Sequence, residues 1–140
     1  MNSFASKRIL VVDDSETMRM FILLHLIKLL PGVKITEAVN GADAIDKLKG
    51  QDVDLILTDM NMPVMDGAGV ITAVRKDLKM TTPIIVLTTM GEQKDRARGI
   101  ELGASDYITK PINVREFRDT ILKNIAWTTS EAVPDAVLRS

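Results

Sequence analysis

Several apolar runs in this chain stop at residues that can do chemistry. Arg8-Ile9-Leu10-Val11-Val12 runs into Asp13-Asp14, and Leu55-Ile56-Leu57-Thr58 runs into Asp59. Pro83-Ile84-Ile85-Val86-Leu87 ends at Thr88, and the short run Asp106 to Thr109 is followed by Lys110. Gathered in one crevice, Asp13, Asp14 and Asp59 repel one another, and some of their pKa values rise unless a cation intervenes. No His or Cys stands beside them in sequence. Ligands that are all hard oxygens favour Mg²⁺ or Mn²⁺ over zinc. A carboxylate attacks phosphorus when a metal and a cationic side chain neutralise the phosphoryl oxygens. Lys110 supplies such a charge and Thr88 a hydroxyl donor, so together these residues point to phosphoryl transfer onto Asp59.

That chemistry requires elements that bring distant residues to one place. Short unbroken apolar runs suit strands buried on both faces of a parallel sheet. Between them lie helical patterns. Ser15 is a candidate cap for a first helix with Glu16 in its first turn and the stripe Met18, Ile22, Leu26, Leu29 and Leu30, stopped by Pro31-Gly32. Val33 to Val39 reads as a second strand, Asn40-Gly41 as a turn, and Ala44, Ile45 and Leu48 as a second helix. Val53 to Thr58 reads as the third strand, and Val70, Ile71, Val74 and Leu78 as a third helix. Glu92 to Leu102 reads as a polar fourth helix with a thin stripe, Ala97 and Ile100, and is expected to be mobile. Val114, Phe117, Ile121 and Ile125 mark a fifth. Strands alternating with helices predict an α/β fold, a (βα)5 doubly wound parallel sheet with right-handed crossovers. Every strand then ends on the same edge, which is where open α/β sheets bind ligands.

The chain's 140 residues, 46% hydrophobic and 26% charged, suit one soluble domain over 1–127 followed by a polar tail or linker stub at 128–140. A formal charge of −1 gives no global case for nucleic acid or anionic membrane. The absence of cysteine excludes disulfides and thiolate chemistry. No apolar run approaches the ~18 residues of a membrane span, and the N-terminus lacks a signal-peptide core. The expectation is a cytoplasmic protein.

Four segments together resemble the receiver domains of two-component response regulators: Val11-Val12-Asp13-Asp14-Ser15, Asp59 to Gly67, Leu87-Thr88, and Tyr107-Ile108-Thr109-Lys110-Pro111. They stand in that family's order and spacing across roughly residues 7–127. Asp13-Asp14-Ser15-Glu16-Thr17-Met18-Arg19 and Asn61-Met62-Pro63 are most similar to the stand-alone, CheY-like type. The resemblance implies the flavodoxin-like strand order 2-1-3-4-5. It implies Asp59 as phosphoacceptor, and Mg²⁺ on Asp14, Asp59 and the Asn61 carbonyl, with Asp13 reaching it through water. It further implies Lys110 paired with the phosphoryl group, a Thr88–Tyr107 switch and a cis Lys110-Pro111 bond. The implied partners are a histidine kinase or phosphotransfer protein as donor, and a target protein on the surface of the fourth helix, fifth strand and fifth helix. Chemotaxis is the setting suggested by the CheY-like form, with a monomer as the expected state. Such a domain is a switch, not an enzyme, apart from Mg-dependent self-phosphorylation and self-dephosphorylation. A receiver cut from a multidomain regulator is the alternative.

Blander and rival readings stand beside this one. Asp66 reads as a turn or cap residue before the third helix, not a ligand, and His25 as a rim histidine beside the first helix's stripe. Met60, Met62 and Met65 read as gap fillers, and Trp127 as a cover for the end of the last helix. Gly67-Ala68-Gly69 lacks the third glycine of a dinucleotide loop. A phosphatase of the haloacid dehalogenase class would carry an acid two residues after its nucleophile, where this chain has Asn61. A flavodoxin-like nucleotide or flavin module would carry a Ser/Thr-rich loop after the first strand, and here that position is Asp-Asp.

Overall fold

The computed structural model describes residues 7–89 and 92–125. Along the chain run β1 (Arg8–Val12), α1 (Glu16–Leu29), β2 (Lys34–Ala38), α2 (Gly41–Leu48), β3 (Leu55–Asp59) and α3 (Gly67–Thr72). A π-helical turn (Ala73–Asp77) follows, then β4 (Ile84–Thr89), α4 (Gln93–Leu102), β5 (Asp106–Lys110) and α5 (Val114–Ile125). The strands pair in parallel in the order β2-β1-β3-β4-β5. This is the doubly wound architecture and the strand order expected above. The readings of Trp127 and the 128–140 tail fall outside the described residues.

Burial explains why the apolar runs become the middle of the sheet. β3 is buried throughout, β1 after Arg8 and β4 up to Thr88, whereas the edge strands β2 and β5 are only partly covered. Strand side chains alternate between faces, so each central strand feeds two cores. Ile9, Val11, Leu55, Leu57, Ile85 and Leu87 pack with Ile22, Leu26 and Leu30 of α1 and its cap and with Phe117, Ile121 and Ile125 of α5. Leu10, Val12, Ile56, Ile84 and Val86 pack on the other face with Ala44 and Leu48 of α2 and with Val70, Ile71 and Val74.

Local signals set most of the helix starts. Ser15 accepts from the Met18 N–H and Asp66 from the Gly69 N–H at 2.9 Å, both as caps. Asn40, read from sequence as part of a turn, is the cap of α2, accepting from Asp43 N–H at 2.8 Å.

Four details differ from expectation. The third helix does not stay regular: Leu78 N–H reaches back five residues to Ala73 O, and half-buried Arg75 binds the carbonyls of Gly103, Met80 and Thr82. Lys110 closes β5 instead of following it. Val114 is exposed and lies off the α5 stripe, which takes in Leu122 instead. In α4 the expected stripe faces water: Ala97 and Ile100 are exposed, and the buried residue is Gly99. A side chain at Gly99 would begin 3.3 Å from both methyls of Val86, so the helix lies against β4 by backbone contact. A pattern of apolar side chains cannot register a contact made by a residue that has none.

Candidate functional site

The parallel register gathers the candidate residues. Val12 pairs with Thr58, which sets Asp13 beside Asp59; Asp59 pairs with Leu87, Thr88 with Thr109 and Thr89 with Lys110. The strand ends thus form one edge, and Lys110 reaches back across it. Its Nζ lies 3.0 Å from Asp59 Oδ2 and 3.4 Å from Asp13 Oδ2. Asp14 is exposed at the rim, and Asp13, Asp14 and Asp59 each offer an oxygen within 4.8 Å of the others. The expected cluster is therefore assembled, with one ammonium serving two of its carboxylates.

Burial and charge set the protonation. Desolvation raises the pKa of Asp13, with the Asp59 charge adding to it, against the Ser15 N–H bond at 2.8 Å and the Lys110 charge, which lower it. For Lys110, burial alone would lower the pKa, but the hydrogen bond and charge of Asp59 and the charge of Asp13 outweigh it and the value rises. Lys110 is therefore a fixed cation. The cluster is an acidic, oxygen-only pocket with less positive charge than negative, and such a donor set suits a hard divalent ion.

The loop after β3 is built to hold Asp59 in place. Asn61 N–H donates to Asp59 Oδ1 at 3.1 Å, and Gly67 N–H donates to Met60 O at 3.0 Å. A Cβ on Gly67 would sit 2.4 Å from Asp59 O, so only glycine allows this approach. Val64 has φ 70 and Met65 N–H binds Pro63 O at 2.8 Å across it, a strained γ-turn at the loop's exposed tip. Met60 is buried, and Met62 and Met65 pack at the edge of the core, filling gaps as expected.

Several participants had no signal in the sequence. Arg19 Nη1 donates to Asp13 O at 2.6 Å while its Nε binds Glu37 at 3.1 Å, bracing the end of β1. The Asn61 carboxamide donates to Glu92 at 3.0 Å and Asp95 at 2.9 Å, at the start of α4. The hydrogen bond to Asp95, desolvation and the Asp95 charge raise the Glu92 pKa. These contacts join residues about thirty positions apart, and no short motif encodes them. Thr88 is buried beside the cluster. Tyr107 is 37% exposed, its ring lying 4.7 Å from the Arg96 guanidinium carbon. Between them, α4 and β5 leave a cleft of about 320 Å³ lined by Thr88, Gln93, Arg96 and Thr109. The Lys110-Pro111 bond is cis. His25 is half-buried away from this edge, with Nδ1 2.8 Å from Phe21 O and its ring tilted 33° against that of Phe21.

A parallel sheet of this order with an acidic strand edge defines a class, and comparison with known proteins gives the same class. The model of the response regulator receiver domain family matches residues 9–122. The transcriptional regulatory protein ResD of Bacillus subtilis is 41% identical over 116 residues, 83% of this chain and 47% of its own length. The receiver domain of a signal transduction histidine kinase from Syntrophus aciditrophicus superposes with TM-score 0.78 at 30% identity, covering 92% of this chain and 98% of that one. Chemotaxis protein CheY4 of Vibrio cholerae gives 0.75 at 31%, covering 84% and 98%. The chain belongs to the response regulator receiver domain family. Receiver domains are phosphorylation-dependent signalling switches of two-component systems, not classical enzymes. The chain spans about half the length of the curated relatives it matches. Among the described residues, no helix is long and apolar enough to cross a membrane.

Proposed function

We propose that Asp59 is the phosphoacceptor of a signalling switch. The observation that carries this reading is the Lys110 ammonium held between Asp59 and Asp13 at the strand edge. A carboxylate oxygen of Asp59 attacks phosphorus of a phosphoimidazole, the P–N bond breaks and imidazole leaves, while Lys110 neutralises a phosphoryl oxygen. Asp14, Asp59 and the Asn61 carbonyl would hold Mg²⁺, with Asp13 beside them, and the ion would supply the remaining charge neutralisation. Self-dephosphorylation is the attack of water on the same phosphorus, returning Asp59 and releasing phosphate.

The Thr88 hydroxyl turns toward the phosphoryl group, and the Tyr107 ring occupies the space it leaves. The cleft between α4 and β5 is lined by Thr88 and by Arg96, whose guanidinium lies over the Tyr107 ring, and its place beside both residues supports this reading. The surface of α4, β5 and α5 then binds a target protein. The donor is a histidine kinase or phosphotransfer protein, the setting cytoplasmic and the state monomeric. Likeness to CheY4 supports chemotaxis. Likeness to transcriptional regulatory proteins of which the chain covers about half supports the alternative, the receiver of a multidomain response regulator.

The test is phosphotransfer from a small phosphodonor, or binding of beryllofluoride (a phosphoryl mimic), with Mg²⁺ present. Wild type responds and Asp59→Asn does not; equal responses would sink the reading. Sustained turnover of a phosphomonoester would revive the phosphatase alternative.

A further inference from the structure

Asn61 is placed so that its two ends serve different parts of the molecule. Its backbone N–H holds Asp59 Oδ1 at 3.1 Å, while its side-chain nitrogen donates to Glu92 at 3.0 Å and Asp95 at 2.9 Å. A carboxamide nitrogen has two hydrogens, so its donor capacity goes to two carboxylates, Glu92 just before α4 and Asp95 in its first turn. This contact ties the loop after β3 to the start of α4. Elsewhere α4 sits on β4 through Gly99, with no large side chain buried. A helix seated this way has few apolar contacts opposing a small shift.

We propose that Glu92 and Asp95 are positioning residues that latch α4 through the Asn61 carboxamide, and that filling the Asp59 site releases the latch. The proposal rests on the reading of Asp59 given above. A phosphoryl group on Asp59 replaces one carboxylate charge with close to two, a net gain of about one negative charge, and adds three acceptor oxygens next to residue 61. The added charge repels Glu92 and Asp95, and its oxygens compete for the same amide hydrogens. The latched state is therefore made for the unmodified site, and the modified site favours α4 unlatched. Whatever stabilises one state opposes the ligand of the other. No bond forms or breaks in this step other than hydrogen bonds.

The test uses ¹⁵N-labelled full chain and the double variant Glu92→Gln with Asp95→Asn, titrated with beryllofluoride in Mg²⁺. The Asn61 side-chain amide resonances of wild type move on saturation. In the variant they are already displaced before any beryllofluoride is added, and half-saturation comes at a concentration lower by about fivefold, the effect of removing a modest charge-assisted contact. The control Asp46→Asn with Asp77→Asn makes the same charge change on exposed residues outside α4 and leaves both readouts at wild-type values. Unmoved Asn61 resonances in the variant, or half-saturation equal to wild type or the control, overturn the latch while the Asp59 reading stands. A wild-type protein indifferent to beryllofluoride overturns the Asp59 reading and the release step with it.

Discussion

At the scale of single residues, the site is a problem of unbalanced charge. Asp13 is buried and Asp59 nearly so, and Lys110 is the cation within 3.4 Å of both. Removing a cation from buried carboxylates leaves them desolvated and unpaired. Lys110→Met is therefore expected to lower the unfolding free energy by about 1–3 kcal/mol, read by urea denaturation at neutral pH. An unchanged midpoint would contradict the shared ion pair. Asp43 shows the opposite, surface case. The Val39 N–H bond and then the Lys47 partner hold its carboxyl below the ordinary carboxylate value. A depressed folded-state pKa means that the fold favours the ionised form. The stabilisation is present above the ordinary value of 3.8 and is lost as pH falls through the lower folded value. Asp43→Asn is expected to melt slightly below wild type at pH 7, by less than about 1 kcal/mol because the pair is solvated. The two melting curves should converge in strong acid, and a difference that persists there would refute the assignment.

At the scale of elements, the decisive piece is the loop between β3 and α3. It must bring its backbone back over the strand it has just left, and Gly67 is the point of return. Gly67→Ala forces a methyl into backbone atoms of Asp59 and Met60. It is expected to cost about 1–3 kcal/mol, as overpacking does, and to weaken beryllofluoride binding, because the displaced atoms belong to Asp59 itself. Thermal melts together with a binding titration check both. Wild-type values for each would mean that the loop can give way without moving Asp59. The fourth helix is the opposite kind of element, polar in sequence and seated by Gly99, so its place is set by contacts at its ends. α1 is different again: Met20, Leu24 and Ile27 stay exposed opposite the buried stripe, which makes the helix apolar on both sides.

At the scale of the whole molecule, the sheet separates two cores, and each helix belongs to one of them. Phe117 is among the largest fully buried side chains and sits where α5 meets α1, within 6.2 Å of the His25 ring. Phe117→Ala should cost about 3–5 kcal/mol. Because β4 and β5 feed this core and also carry Thr88 and Lys110, the loss should appear as cooperative unfolding of the whole domain, with far-UV and near-UV signals lost together. Separate transitions for the two signals would show the cores to be independent.

Much of this was legible before any coordinates. Runs such as Leu55 to Thr58 carry their burial in their composition, because only a strand covered on both faces tolerates so little polarity. Alternation of strand and helix then leaves few topologies, and a parallel sheet puts every strand's carboxyl end on one edge. Asp13, Asp14, Asp59, Thr88 and Lys110 could therefore be grouped from sequence, and the structure does group them. What only tertiary structure decided are contacts that depend on distance in space, not on periodicity. Arg19 bracing the end of β1, Gly99 seating α4 and the Asn61 carboxamide held by Glu92 and Asp95 leave no pattern along the chain. Periodicity records which side of an element avoids water. A hydrogen bond between a loop and a distant helix, or a backbone contact through a residue without a side chain, changes neither hydropathy nor spacing.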